Sequence, residues 1–232
     1  MTRRKKFKSI GELKENIAKM NELLTGLITY VIVFKKFTSN PKFRELLNSQ
    51  VEGALEKITF DEKKTNQIYE LCFIRLYASF EAFMTDFLRE LYIKFPDSLP
   101  RDKKISVDDI LDWKTQKSTR TFIIDHIAIE NSYDLPTWKR TLKAGFGIEV
   151  FKDEKHEQLF NLLNLIRNMI AHSGRKFNSK ISRDSAKFIK RKTDKLGHFE
   201  VTDFELDDKN LYENLVNAIE DVITQIENKN IA

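Results

Sequence analysis

Arg167, Asn168 and His172 stand close together in LIRNMIAHSGRK, residues 165 to 176, inside an otherwise apolar helical run. A guanidinium grips phosphate oxygens through a planar fork of N–H donors. An imidazole accepts and releases protons near neutral pH. An amide four residues before the imidazole is placed to hydrogen-bond it and fix its orientation. These three groups are the parts of a site that recruits a phosphate and moves a proton beside it.

The element that must position them is a helix over residues 154 to 172. At about 100° per residue, Leu159, Leu162, Leu163, Ile166, Met169 and Ile170 share one arc, which predicts the core face. Asn161, Asn164, Asn168 and His172 form an uncharged polar stripe on the other side. Solvated faces elsewhere in the chain use Lys and Glu, so the stripe suits a surface covered by a second subunit or a substrate. Arg167 lies five residues before His172, roughly 140° around the helix. One helix does not easily aim both at one atom, whereas two copies about a twofold axis would place two Arg and two His around one cleft. His172 sits in the last turn before a Ser173-Gly174 stop, where the negative helix end favours imidazolium.

RNMIAH resembles the Arg–polar–His motif of the HEPN superfamily, late in a helix and followed by an irregular loop. LYASFEAFMTDFLREL, residues 76 to 91 with Glu81, is similar to that superfamily's earlier core helix in the RiboL-PSP group, and the closing helix after FELDDKNLYENL also fits. The resemblance spans residues 60 to 228 apart from the middle of the chain. It implies a metal-independent endoribonuclease acting as a homodimer, with RNA as substrate and no cofactor. By position, Arg167 would stabilise the charge on the pentacoordinate phosphate. His172 would serve as base or acid at the 2′-hydroxyl or the leaving 5′-oxygen, and Asn168 would position His172 or a phosphate oxygen. The implied product is a 2′,3′-cyclic phosphate. A toxin or effector role in phage defence, with an antitoxin or other defence protein as partner, belongs to the same implication.

Glu81 stands out on its own account. It falls at the edge of the apolar face of its helix, while Arg75, Asp86 and Arg89 lie on the far side. A carboxylate there needs a partner, and Arg167 is the expected one. Downstream, Ser173 to Lys195 carries nine basic residues, among them Arg175, Lys176, Lys180 and Arg183, against Asp184 and Asp194, a net +7. Leu196 to the end carries nine acids against Lys209 and Lys229, a net −7. This asymmetry points to a polyanion beside the basic segment.

The remaining chain predicts an all-α fold, a HEPN-like helical bundle. With only 7 Gly and 4 Pro among 232 residues, and abundant Lys, Glu, Leu and Ile, helix is favoured over sheet. Helices are expected over residues 9–37, 41–57, 62–95, 154–172 and 208–228. Residues 97–153 read as a helical insertion, with SVDDILDW, TRTFIIDHIAIEN and PTWKRTLKAG as short helices and GFGIEVF as a loop. The alternation in GHFEVTDFELDD is compatible with a short β-hairpin before the last helix. The expected organisation is one compact domain: residues 1–59 are N-terminal helices packed on the bundle of residues 60–232.

Several chemistries find no support. A single cysteine, Cys72, excludes a disulfide framework and a cysteine zinc site, and points to a reducing, cytoplasmic setting. There is no HExxH, GxGxxG or G-x₄-GK[ST]. DEKHEQ groups Asp153, His156 and Glu157, but reads as a solvated helix start rather than a metal site. LLTGLITYVIVF, residues 23 to 34, is uncharged but too short to span a bilayer, and is expected to be a buried core segment with no membrane role. The competing class is a non-catalytic helical scaffold, or a nucleotide- or partner-binding module, in which Arg167 and Glu81 form a structural ion pair.

Overall fold

A computed structural model of the chain describes residues 7–40, 42, 62–100, 119–173 and 208–229. They form an all-α fold of six α-helices, with no strand among the described residues. These are α1 (Lys8–Thr38), α2 (Glu62–Lys94), α3 (Thr119–Ser132), α4 (Leu135–Phe146), α5 (Glu154–Ser173) and α6 (Asp208–Asn228). The expected helix over 41–57, the SVDDILDW helix and the β-hairpin lie outside the described residues. Packing divides the chain into two units, 1–16 with 77–160 and 217–232, and 17–76 with 161–216. Helices α1, α2, α5 and α6 each contribute to both.

The first unit is built on aromatic packing. Phe80, Phe83, Phe87 and Leu91 follow the helical period of α2 and are fully or almost fully buried. Phe80 is the hub, 4.9 Å from Phe160 and 5.9 Å from Trp138, the latter edge-on at 80°. Trp138 donates its indole N–H to the Met84 carbonyl at 3.0 Å, so the buried ring leaves no polar atom unsatisfied. Residues 119–153 thus supply core: Trp138, Leu142, Ile148 and Val150 are all fully buried.

Helix ends in this unit are held by identifiable groups. The N–H groups of Lys8 and Ser9 donate to the Glu90 carboxylate at 2.9 and 2.7 Å, so a side chain of α2 caps the positive end of α1. Asp134 caps α4 by accepting from the Thr137 N–H at 2.6 Å. Gly147 closes α4 in the left-handed conformation, φ 62°, and its N–H meets the carbonyls of Leu142 and Lys143. Gly145, expected in a loop, is instead inside α4.

The second unit has an aliphatic core with fewer rings. Ile17, Met20, Leu24 and Val31 of α1, Cys72, Phe73 and Leu76 of α2, Leu163 and Ile166 of α5, and Leu211, Tyr212 and Leu215 of α6 are buried. Tyr212 donates its hydroxyl to Asn21 Oδ1 at 2.8 Å. Residues 23 to 34, expected to be buried, are buried only in part. Only Leu24 and Val31 of that stretch are buried, while Leu23, Leu27, Tyr30, Ile32 and Val33 are exposed. α1 is long and apolar enough to cross a membrane, yet just 22% of its apolar window is buried within the protein.

Candidate functional site

Arg167 and Asn168 lie in the last two turns of α5, as the sequence predicts, within the second unit. Arg167 leaves the helix within about 40° of Leu163, on the buried side, and is half-buried. Its Nη1 donates to Asn168 Oδ1 at 2.8 Å. Asn168, expected to orient His172, thus offers its amide oxygen to the guanidinium. His172 falls in the last turn of α5, and its side chain lies outside the described residues. Arg175, Lys176, Lys180 and Arg183 lie outside them altogether.

The polar stripe is not a solvated face. Asn161, Asn164 and Asn168 are all half-buried, and no described residue from His156 to Ile170 is exposed. The core face is centred differently from the expectation: its buried residues are His156, Phe160, Leu163 and Ile166, whereas Leu159, Leu162 and Ile170 are half-buried. Met169 has no described side chain. Phe160 takes the central place, its ring centroid 4.9 Å from that of Phe80 and 5.6 Å from that of Phe151.

Glu81 is a half-buried residue of α2 in the first unit, whereas Arg167 and Asn168 belong to the second. Glu81 and Arg167 each make interactions within the chain besides the bond to Asn168.

His156 is the polar residue that sequence reasoning undervalued. DEKHEQ does open a helix: Asp153 Oδ1 accepts from the His156 N–H at 2.7 Å. The imidazole, however, is only 4% exposed rather than solvated. Its Nε2 lies 3.0 Å from the Ala218 carbonyl, which requires a proton on Nε2. The Lys152 N–H approaches Nδ1 at 3.4 Å, so Nδ1 is the acceptor. The ring packs against Phe151 and Phe160, with centroids 5.4 and 5.5 Å away. The readable signal was its spacing, four residues before Phe160 and seven before Leu163. Both nitrogens are occupied, and among the described residues no group of three or more His, Cys, Asp or Glu is arranged to hold a metal.

A shallow cleft of about 300 Å³ opens in the second unit, lined by Asn21, Leu24, Thr25, Ile28, Thr29, Tyr69, Tyr212 and Glu213. None of the sequence-predicted site residues lines it. Burial, followed by proximity to the Cys72 thiol, pushes the Tyr212 hydroxyl up to about 12. Burial likewise raises the Cys72 thiol, which keeps it in the unreactive protonated form.

No protein-family model, no curated protein and no solved structure matches the chain.

Proposed function

We propose that the protein is a HEPN-like, metal-independent endoribonuclease working as a homodimer. The observation that carries this reading is the pairing of Arg167 with Asn168 one turn before His172, at the end of a helix whose polar stripe is half-buried. A guanidinium steered by a neighbouring amide is prepared to meet a phosphate without further side-chain ordering. In the proposed reaction the RNA 2′-oxygen bonds to phosphorus while the bond to the 5′-oxygen breaks. One His172 accepts the 2′-hydroxyl proton, and the protonated His172 of the second copy gives one to the 5′-oxygen. Arg167 stabilises the charge gathered on the phosphoryl oxygens. The net-positive segment from Ser173 to Lys195 supplies the electrostatic attraction for RNA. The proposal places the protein in the cytoplasm, with a toxin or effector role in phage defence and an antitoxin or other defence-system partner.

The test is cleavage of single-stranded RNA in EDTA, with 2′,3′-cyclic phosphate ends as the product. His172→Ala is expected to abolish cleavage, and Arg167→Ala to do so while the chain stays folded. Wild-type activity that disappears with chelator, or a His172→Ala protein that still cuts, overturns the reading.

The engagement of Arg167 within its own chain also favours a second reading, a non-catalytic scaffold in which this arginine is structural. Unfolding of Arg167→Ala, with no wild-type cleavage, would establish that alternative.

A further inference from the structure

The cleft of the second unit has no part in the proposed RNA chemistry, yet its lining is that of a ligand site. Three helices contribute to it: α1 with Asn21, Thr25 and Thr29, α2 with Tyr69, and α6 with Tyr212 and Glu213. Its volume is about 300 Å³. A cavity of about 150 Å³ accommodates benzene, so twice that volume suits a ring with a short chain. From Asn21 to Thr29 is ~12 Å along the helix axis, a length on the same scale.

Exposure grades from an apolar floor to a polar rim. Leu24, 7% exposed, and Tyr212, 3% exposed, form the floor, and the Tyr69 ring is half-buried. Asn21, Thr25, Thr29 and Glu213 are exposed at the rim. On α1 this rim is short and uncharged, whereas exposed positions just before it carry Glu15, Lys19 and Glu22. The Tyr212 hydroxyl donates to Asn21 Oδ1 at 2.8 Å. That bond fixes the amide so that its two N–H donors are the groups left for an occupant. Burial holds the same hydroxyl at about 12, so the floor carries no charge at neutral pH.

The lining discriminates among classes of ligand. It contains one carboxylate, Glu213, and no Lys, Arg or His. An anion would meet that carboxylate with no cation to offset it. A wholly apolar molecule would cover the amide and hydroxyl groups without pairing them. A cation is attracted by the carboxylate and by tyrosine rings. Tyr69 and Glu213 also make interactions within the chain. A carboxylate has about four lone-pair sites, so Glu213 can accept an ammonium N–H in addition.

We propose that this cleft binds a small organic ammonium ion. Its ring rests on Leu24, Tyr69 and Tyr212, its ammonium group donates to Glu213, and a hydroxyl or similar group meets Asn21, Thr25 and Thr29. The site is independent of the ribonuclease reading: binding without cleavage, or cleavage without binding, separates the two.

The test titrates the full chain with tyramine at neutral pH, beside 4-hydroxyphenylacetate as its anionic counterpart. Backbone amide NMR signals report where each compound binds. Tyramine is expected to shift signals of residues 21–29 and 212–213 saturably, with a Kd of about 1 mM, ordinary for a ligand this small. The anion is expected to bind about tenfold more weakly or not at all. Glu213→Gln should weaken tyramine about fivefold, since the carboxylate is exposed. Thr25→Phe, which fills the cleft from an exposed helical position, should abolish binding with unchanged helical circular dichroism. Absence of saturable tyramine binding well above that Kd overturns the proposal. So does an anion that binds as tightly as the amine, or tyramine binding that is unchanged in Glu213→Gln or in Thr25→Phe.

Discussion

Arg167 hydrogen-bonds the amide of the residue that follows it, Asn168, at 2.8 Å. Adjacent positions on a helix point about 100° apart, so the guanidinium must fold back across α5 to reach that oxygen. It is thereby drawn from the Leu163 side of the helix toward the asparagine stripe.

If that contact aims the arginine, Asn168→Ala should lower RNA cleavage about ten- to a hundredfold, equivalent to ~1.4–2.7 kcal/mol of transition-state stabilisation. Stability should change little, because a half-buried amide of this kind contributes modestly to folding. Single-turnover cleavage beside a thermal melt separates the two effects. An Asn168→Ala protein as active as the parent would remove the amide from the mechanism.

His156 should matter to stability and not to chemistry. His156→Ala removes a buried ring and leaves the Ala218 carbonyl without that donor. The expected cost is about 2–4 kcal/mol, read from urea unfolding midpoints. His156→Gln, which keeps an N–H donor, should lose less. RNA cleavage measured well below the melting temperature should be unchanged by either.

Tyr212 predicts a loss of stability at high pH. Its hydroxyl is held at about 12 in the folded chain against an ordinary value of 10.0. The unfolded chain therefore releases this proton first. The stabilisation is complete below about pH 10 and is lost as pH rises toward 12. Urea midpoints at pH 9 and pH 11.5 should differ less in Tyr212→Phe than in the parent, because the substitution removes that titration. An identical pH slope would refute the assignment.

The ends of α4 offer two local tests. Gly147 has φ 62°, and a Cβ there meets only Lys229 atoms at 3.6 and 3.9 Å, so Gly147→Ala suffers from its backbone conformation rather than from a clash. The expected loss is about 1 kcal/mol. Asp134→Ala removes the cap on the Thr137 N–H and should also cost ~1 kcal/mol. Denaturant titration checks both.

The helices were legible because long amphipathic repeats are local signals. α2 and α6 appear where helices are expected, each with one buried apolar face: Phe73, Phe80, Phe87 and Leu91, then Leu215, Ile219, Val222 and Ile226. The position of Arg167 and Asn168 late in α5 was legible for the same reason. Their mutual hydrogen bond was not, since helical spacing states where side chains depart and says nothing about where long ones end.

The sequence by itself determined the all-α character, the periods of the long helices and the order of the candidate site residues along α5. Period and capping act over a few residues and need no tertiary partner. Only the tertiary structure decided which apolar or polar groups are covered. It buried His156 behind Phe151 and Phe160, and it set the Phe160 ring of α5 against Phe80. It also left most of residues 23 to 34 exposed despite their hydropathy. Burial depends on which surfaces meet across distant parts of the chain, and an apolar stripe is silent about whether its own fold or another molecule covers it.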